Sequence, residues 1–180
     1  MNAMPTETLT APAATEVAQA PEAAYSLTSY LLSNNEGLRL RIEVPNVGSA
    51  KTHFVRRNHI GINGEIVVSS GHIDAEPQGK GLGSRLLTSI SRVLQALAHE
   101  SGRTIVHPIS ATSERSRRLF ARHGHQPFVG KNQSWVTADS RDVWNIRLYN
   151  PDDATPALTP QESLLFEQFK VLEPKVFDRY

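Results

Sequence analysis

The sequence predicts an α/β domain, and three observations carry that prediction. The stretch "LRLRIEV", residues 38–44, puts Leu38, Leu40, Ile42 and Val44 on one side and Arg39, Arg41 and Glu43 on the other, the period-two pattern of a half-buried strand. Residues 82–97 instead place Leu82, Leu86, Leu87, Ile90, Val93, Leu94 and Leu97 three and four apart, the apolar stripe of a helix. Just before that helix, "EPQGKGLGS" (76–84) carries glycines at 79, 81 and 83. A glycine inside a regular element costs roughly 0.5–1 kcal/mol against alanine, so this density marks a turn or a close approach to backbone.

The elements follow in order. Residues 1–24 are rich in Ala, Thr, Pro and Glu without aromatics, and are expected to be a disordered tail, because they bury too little to offset ordering entropy. A domain is expected over 25–150. "YSLTSYLLSNNEG" fits a short helix or a strand equally well. After the strand at 38–44, "KTHFVRRNHIGINGEIVVSSGHID" reads as two strands around a turn at Gly61–Gly64, since Asn63-Gly64 tolerates the positive φ of a hairpin. The helix that follows the glycine loop stops at Ser101-Gly102. "RTIVHPIS" is a short apolar strand. "SERSRRLFARHG" is a second helix, with Ser113 as N-cap and Gly124 as stop. "WNIRLYN" is a last strand. The extension 151–180 holds a third helix with a full start signal: Thr159 as cap, Pro160 at the first position and Glu162 completing a capping box. Its Leu164, Leu165, Phe166, Phe169 and Leu172 call for packing on the domain or on a second copy of the chain.

Composition narrows the chemistry. The 180 residues, 39% hydrophobic, suffice for one domain with a core. A net charge of +1 gives no global pull towards nucleic acid or acidic lipid. The absence of cysteine excludes disulfides, thiolate zinc sites and a cysteine nucleophile. The spacing of His53, His59, His99, His107 and His123 matches no metal-ligand pattern, so no metal is expected. No apolar run approaches the roughly 18 residues of a membrane span, and no basic segment precedes an apolar one at the N-terminus, so a cytoplasmic location without membrane contact is expected.

A glycine loop between strand and helix has a physical use. The first turn of a helix presents unpaired N–H groups and partial positive charge, and glycines leading into it clear the way for an anion, with Lys80 adding screening charge. The P-loop pattern GxxxxGK[ST] is absent. The dinucleotide fingerprint fails too, for the loop is GxGxG and "TIVHPIS" carries no acid. Gln78-Gly79-Lys80-Gly81-Leu82-Gly83 does fill the pattern Q/R-x-x-G-x-G/A. With "IDAEPQGKGLGSRLL" around it and "SERSRRLFARHGH" (113–125) matching a second signature, N-x-x-S/A-x-x-L-Y-x-x-x-G-F, the chain resembles the GNAT superfamily of N-acetyltransferases over about residues 37–150.

The resemblance implies a GNAT-like acyl-CoA-binding fold: a mixed, mostly antiparallel sheet with helices on both faces. It implies acetyl-CoA as co-substrate and transfer of an acetyl or other acyl group to a primary amine by direct attack in a ternary complex. It implies that Gln78, Gly79, Lys80, Gly81, Leu82, Gly83 and Ser84 hold the diphosphate, and that Ser113 and Phe120 contact the cofactor. It also implies that the strand ending at Ile73 splays from its neighbour to take the pantetheine arm, with the Ile73 N–H near the thioester carbonyl, where a fixed donor stabilises growing charge. Two departures stand out. The family's tyrosine proton donor is Phe120 here, and its asparagine at the helix start is Ser113; Ser113, Ser116 or water then supplies the proton. Glu65, His72, Asp74 and Glu76 are the candidate bases, Glu65 by family position and His72 by its titration range. Arg115, Arg117, Arg118 and Arg122 form a solvated face or reach the 3′-phosphate of CoA.

The segment before Leu38 is shorter than the family norm, so the acceptor is not inherited: a small molecule, a peptide or an aminoacyl-tRNA all qualify. Homodimers are common in the family, and the tail helix offers an interface. The alternative reading is a non-catalytic GNAT-fold acyl-CoA-binding or protein-interaction module, favoured by the missing tyrosine. A nucleic-acid role for "HFVRRNH" and the arginine helix runs against the near-neutral charge.

Overall fold

The computed structural model of the chain describes residues 24–55, 59–60, 64–127 and 143–172. The tail 1–23 and most of the Gly61–Gly64 turn therefore lie outside the described residues. The segment that fitted helix or strand is a strand, β1 (Ser26–Leu31). The reason lies just beyond it. A 3-10 turn at Ser33–Asn35 sets Asn34 and Asn35 at φ 58° and 54°, a left-handed conformation that asparagine tolerates and that no right-handed helix can continue through. The turn closes with Leu32 N–H on the Gly37 carbonyl at 2.9 Å. The chain then runs back as β2 (Gly37–Val44), antiparallel to β1, with Leu38, Leu40, Ile42 and Val44 buried and Arg39, Arg41 and Glu43 exposed.

β3 (Gly48–Val55) completes a meander with β2. The expected hairpin is present as β4 (His59–Ile60) against β5 (Ile66–Val67), antiparallel. The second strand of that reading is broken, because β5 and β6 (Asp74–Glu76) belong to different halves of the sheet. α1 (Leu82–Ser101) follows, with all seven stripe residues buried and Gly102 in the left-handed C-cap position. β7 (Ile105–Ala111) runs parallel to β5, and it is the only parallel partner among the named strands; α2 (Glu114–Arg122), β8 (Gln126–Pro127) and β9 (Val143–Tyr149) complete that half in the order β4-β5-β7-β9-β8. The other half has the order β1-β2-β3-β6. The sheet is mixed and mostly antiparallel, as expected.

Three helices pack against this sheet. The apolar face of β2 joins α1 and α3 (Pro160–Leu172) in one core, and Phe120 of α2 packs with Leu87 of α1 and Ile109 of β7. Among the described residues no helix is long and apolar enough to cross a membrane.

The tail helix packs on its own domain. Leu165, Phe169 and Leu172 enter the main core, the Gln161 side chain accepts the Leu27 N–H at 3.0 Å, and Gln168 bonds to Ser29. The capping box forms as expected: Thr159 Oγ1 accepts the Glu162 N–H at 3.1 Å, and the Glu162 carboxylate accepts the Thr159 N–H at 3.0 Å. The buried Glu162 carboxylate also takes Arg92 Nε at 3.0 and 3.1 Å. Glu162 thus starts the helix and ties it to α1. Glu162→Ala is expected to lower unfolding free energy by about 2–3 kcal/mol, at or just below the usual cost of breaking a buried pair because Arg92 can turn to water. Thr159→Ala is expected to cost about 1 kcal/mol. Urea titration of both variants checks this, and equal small losses would show that the ion pair adds nothing to the cap.

Candidate active site

The site begins where the two halves of the sheet part. Ser70 bridges to Phe54 of β3 on one side and to Ile109 of β7 on the other. Beyond Ser70 no residue of this strand pairs with β7 among the described residues, while Asp74–Glu76 pair with β3. The registers do not run on evenly. Two residues, 52 and 53, separate Lys51 from Phe54, and three, 71–73, separate their partners Ser70 and Asp74. One extra residue is a β-bulge. Thr52 supports it, with Oγ1 3.1 Å from both the Gly71 and His72 carbonyls.

Pro77 then fixes which way the backbone faces. An antiparallel register allows two alternating hydrogen-bond patterns. One of them needs an N–H from residue 77, and proline has none. So Ser49–Glu76 and Lys51–Asp74 are the bonded pairs, and the N–H of Ala75 points away from β3. The Ile73 N–H has no hydrogen-bond partner among the described residues.

The glycine loop closes one end of this gap. Gly79 and Gly81 have φ of 84° and 73°, the left-handed region that disfavours a side chain. Gly81 is the N-cap of α1 and supplies no capping side chain; the first helical bond is Arg85 N–H to the Gly81 carbonyl at 3.0 Å. The N–H groups of Leu82, Gly83 and Ser84 are thus uncommitted to the helix, at its positive end. Gly83 is needed for contact: a Cβ there would lie 3.1 Å from Leu119 Cδ2 and 3.5 Å from Ile73 Cγ2.

α2 forms the opposite wall. Ser113 caps it by accepting the Ser116 N–H at 3.1 Å, and the two hydroxyls are 2.9 Å apart. Glu114 sorts the arginines. It draws Arg117 (3.3 Å) and Arg118 (3.1 Å) outwards, while Arg115 and Arg122 line the gap. Arg115 Nη1 donates to Gln78 Oε1 at 3.1 Å, over the loop. At the far end of α2, His123 Nε2 meets Ser84 Oγ at 2.7 Å. Together these surfaces enclose a cleft of about 800 Å³.

Of the residues singled out from sequence, Ile73, Gln78, Gly79, Gly81, Leu82, Gly83, Ser84, Ser113 and Ser116 line the cleft. Lys80 is exposed on the loop and Phe120 is buried beneath the cleft wall, neither of them lining it. Glu65 precedes β5, at the other end of the strand. His72 is exposed, with Nε2 3.2 Å from Asp74 Oδ1, and does not line the cleft. Ala75, Leu119 and His123 line it without having been singled out as site residues; the pair His123 and His125, flanking the helix stop, was the available signal.

Three histidines here have depressed basicity, His123 in the cleft lining and His107 and His125 behind it. His107 falls well below its ordinary value, through burial first and then the nearness of His125 and Arg147. His125 falls to about 4, again by burial and then Arg147, against carbonyls of Phe120 and His123 that pull the other way. His123 is lowered by burial, Arg147 and Arg122. A histidine with a lower pKa in the fold binds its proton more readily when unfolded. Its contribution is whole above pH 6.5 and is lost as pH falls towards the folded value. For His125 the window is 6.5 to about 4, and the full loss is about 3 kcal/mol. Unfolding free energy measured in urea should therefore be level above pH 7 and fall below 6.5, with a shallower fall in His125→Gln. Parallel profiles for the two proteins would contradict a neutral, buried His125.

Neither a protein-family model nor a curated protein sequence matches the chain. Solved structures do resemble it. A Klebsiella pneumoniae protein assigned as an acyl-CoA N-acyltransferase is similar over 71% of this chain and 99% of its own, at 17% identity and a TM-score of 0.47. A Salmonella typhimurium protein assigned as an acetyltransferase, solved with its cofactor acetyl-CoA, is similar over 67% of this chain and 69% of its own, at 22% identity and a TM-score of 0.40. The ribosomal-protein-S18-alanine N-acetyltransferase of Escherichia coli is similar over 69% of this chain and 75% of its own, at 18% identity and a TM-score of 0.38.

Proposed function

We propose that the chain is a GNAT-type N-acyltransferase that moves an acetyl or other acyl group from acyl-CoA to a primary amine. One observation carries the reading: the uncapped start of α1, reached through two left-handed glycines, opens onto the same cleft as the unpaired N–H of Ile73. The first is a cradle for a diphosphate and the second a donor for a carbonyl oxygen, joined by one channel. The residues fit the group. A Cβ at Gly79 would lie 3.0 Å from Arg115 Nη2, so glycine there lets the guanidinium close over the loop. Arg115 and Arg122 add charge where phosphates are expected, and a forked guanidinium suits that task.

When bound, acyl-CoA supplies an acyl group already activated as a thioester. The protein's part is then positioning, a fixed hydrogen bond and two proton transfers. The N–H groups of Leu82, Gly83 and Ser84 hold the diphosphate end. Ile73 N–H, held by the bulge, faces the carbonyl oxygen and stabilises the charge it gains. Phe120 has no proton to give, and its burial keeps it from the cleft. Ser116, oriented by Ser113, relays a proton from solvent to the departing sulfur, giving its own and taking one back from water. His72, paired with Asp74, is the base that relieves the incoming amine of its proton; Glu65 is too far along the strand to share that task without water. The acceptor is a primary amine of a small molecule, a peptide or an aminoacyl-tRNA.

A second reading, a non-catalytic acyl-CoA-binding module, draws on Phe120 in the place of a tyrosine. Two measurements separate the readings. Calorimetry with desulfo-CoA should show one site per chain, and Gly83→Val should weaken it at least about tenfold by driving a side chain into Leu119 and Ile73. Thiol release with an amine panel should show turnover, falling about 100-fold in Ser116→Ala with KM for acyl-CoA little changed. Binding without turnover favours the module. No binding overturns both readings.

A further inference from the structure

The buried chain Ser70–His107–His125 has no part in the transfer just described, yet it sits at the point where the sheet divides. His107 Nε2 is 2.8 Å from Ser70 Oγ, and His107 Nδ1 is 3.2 Å from His125 Nε2. The three residues are 2%, 0% and 2% exposed. Aromatic rings flank it: Phe54 lies 5.9 Å from His107, and Phe120 lies 5.9 Å from His125. Apolar residues would fill this space without any need for hydrogen bonds. A fully buried polar chain of three members is costly unless each link is made, and where made it fixes one geometry.

Its ends explain what it fixes. Ser70 is the last residue of its strand held to both β3 and β7. Its backbone bond to β7, Ser70 N–H to the Pro108 carbonyl, is long at 3.3 Å. The side-chain bond to His107 reinforces that final rung. His125 lies just past α2, the helix that carries Ser116, Leu119, Arg122 and His123 into the cleft. One hydrogen-bonded line thus runs from the root of the fork, three residues before Ile73, to the end of the opposite wall.

We propose that Ser70, His107 and His125 act as positioning residues: their hydrogen-bonded chain sets the opening of the fork and the direction of the Ile73 N–H. Its consequence for catalysis rests on the acyltransferase reading; its consequence for the backbone does not. Neither histidine needs to change protonation for this, and both are neutral at pH 7.

The test uses two variants of nearly equal volume, Ser70→Thr, which keeps a hydroxyl, and Ser70→Val, which loses it. In the ligand-free full chain, amide resonances of Gly71–Ala75 should move in Ser70→Val and stay near their wild-type positions in Ser70→Thr. In steady-state assays, kcat should fall about tenfold or more in Ser70→Val, with KM for acyl-CoA within about threefold, and recover in Ser70→Thr. If neither variant folds, Ser70→Ala supplies the same two measurements against wild type. Unmoved amides, or a Ser70→Val protein that is merely less thermostable with kcat intact, would overturn the proposal. So would equal disturbance by threonine and valine, which would assign the effect to volume. Should wild type bind no CoA, the acyltransferase reading fails while the resonance arm still decides the positioning claim.

Discussion

A strand in the middle of a sheet has both edges committed, and nothing of its backbone is left for a ligand. The segment from Ile66 to Glu76 escapes that limit by being central only in part. It pairs with β7 as far as Ser70, and beyond the bulge it pairs with β3 alone. A bulge is tolerated because Thr52 takes up the two carbonyls it displaces. Pro77 then removes the one N–H that the opposite hydrogen-bond phase requires. The gap, the unpaired Ile73 N–H and the entry to α1 all lie within this short stretch. Without the parting of the strands, the glycine loop would begin a helix but lead nowhere.

Charge at the cleft is local and owes nothing to the net charge of +1. It comes from the uncapped start of α1 and from two arginines that α2 turns inwards. Glu114 is decisive here. Its carboxylate, three and four residues before Arg117 and Arg118, draws those two outwards and leaves Arg115 and Arg122 on the cleft side. The arrangement is a wall, positive near the loop and apolar at Leu119, Leu82 and Ile73. A ligand with an anionic end and a long, weakly polar arm matches that sequence of surfaces better than a compact anion does.

Much of this was legible in the chain. Ser113, Gly102, Thr159 and Glu162 each cap as their residue types require, because capping is local chemistry. The alternation of β2 and the stripe of α1 were equally plain. The fork was not readable from residues alone. Ser70 and Gly71 look like any short polar stretch, and the bulge exists only relative to β3, a long-range register that no local pattern encodes. β1 stayed undecided for a similar reason: its "LTSYLL" suits two periods, and the left-handed pair Asn34-Asn35 settles it from outside. The roles of the arginines depended on which of them Glu114 reaches, a question of helix phase relative to the cleft. The histidine chain was invisible because His107 and His125 are eighteen residues apart and meet only when the chain turns back past α2 onto β7.

The fork bears on how two ligands would meet. The cleft opens among α1, α2 and the glycine loop, with Ile73 and Ala75 in its lining. His72 and Asp74, paired at 3.2 Å, are both exposed and lie outside the cleft lining, next to the same fork. In the β1–β3 half, the face opposite the helices carries Arg39, Arg41, Lys51 and His53, all exposed. The division proposed above is a long donor along the cleft and an amine from beside His72. Transfer by direct attack needs that division, because donor and acceptor must be bound at once. A route through an acylated side chain needs instead a nucleophile open to both. Ser84, with His123 Nε2 2.7 Å from its oxygen, lines the cleft, whereas Ser70, with His107 on its oxygen and His125 behind it, is buried and does not. Ser70 is thereby left to hold the strand that runs on to Ile73, the part that the proposed positioning chain gives it.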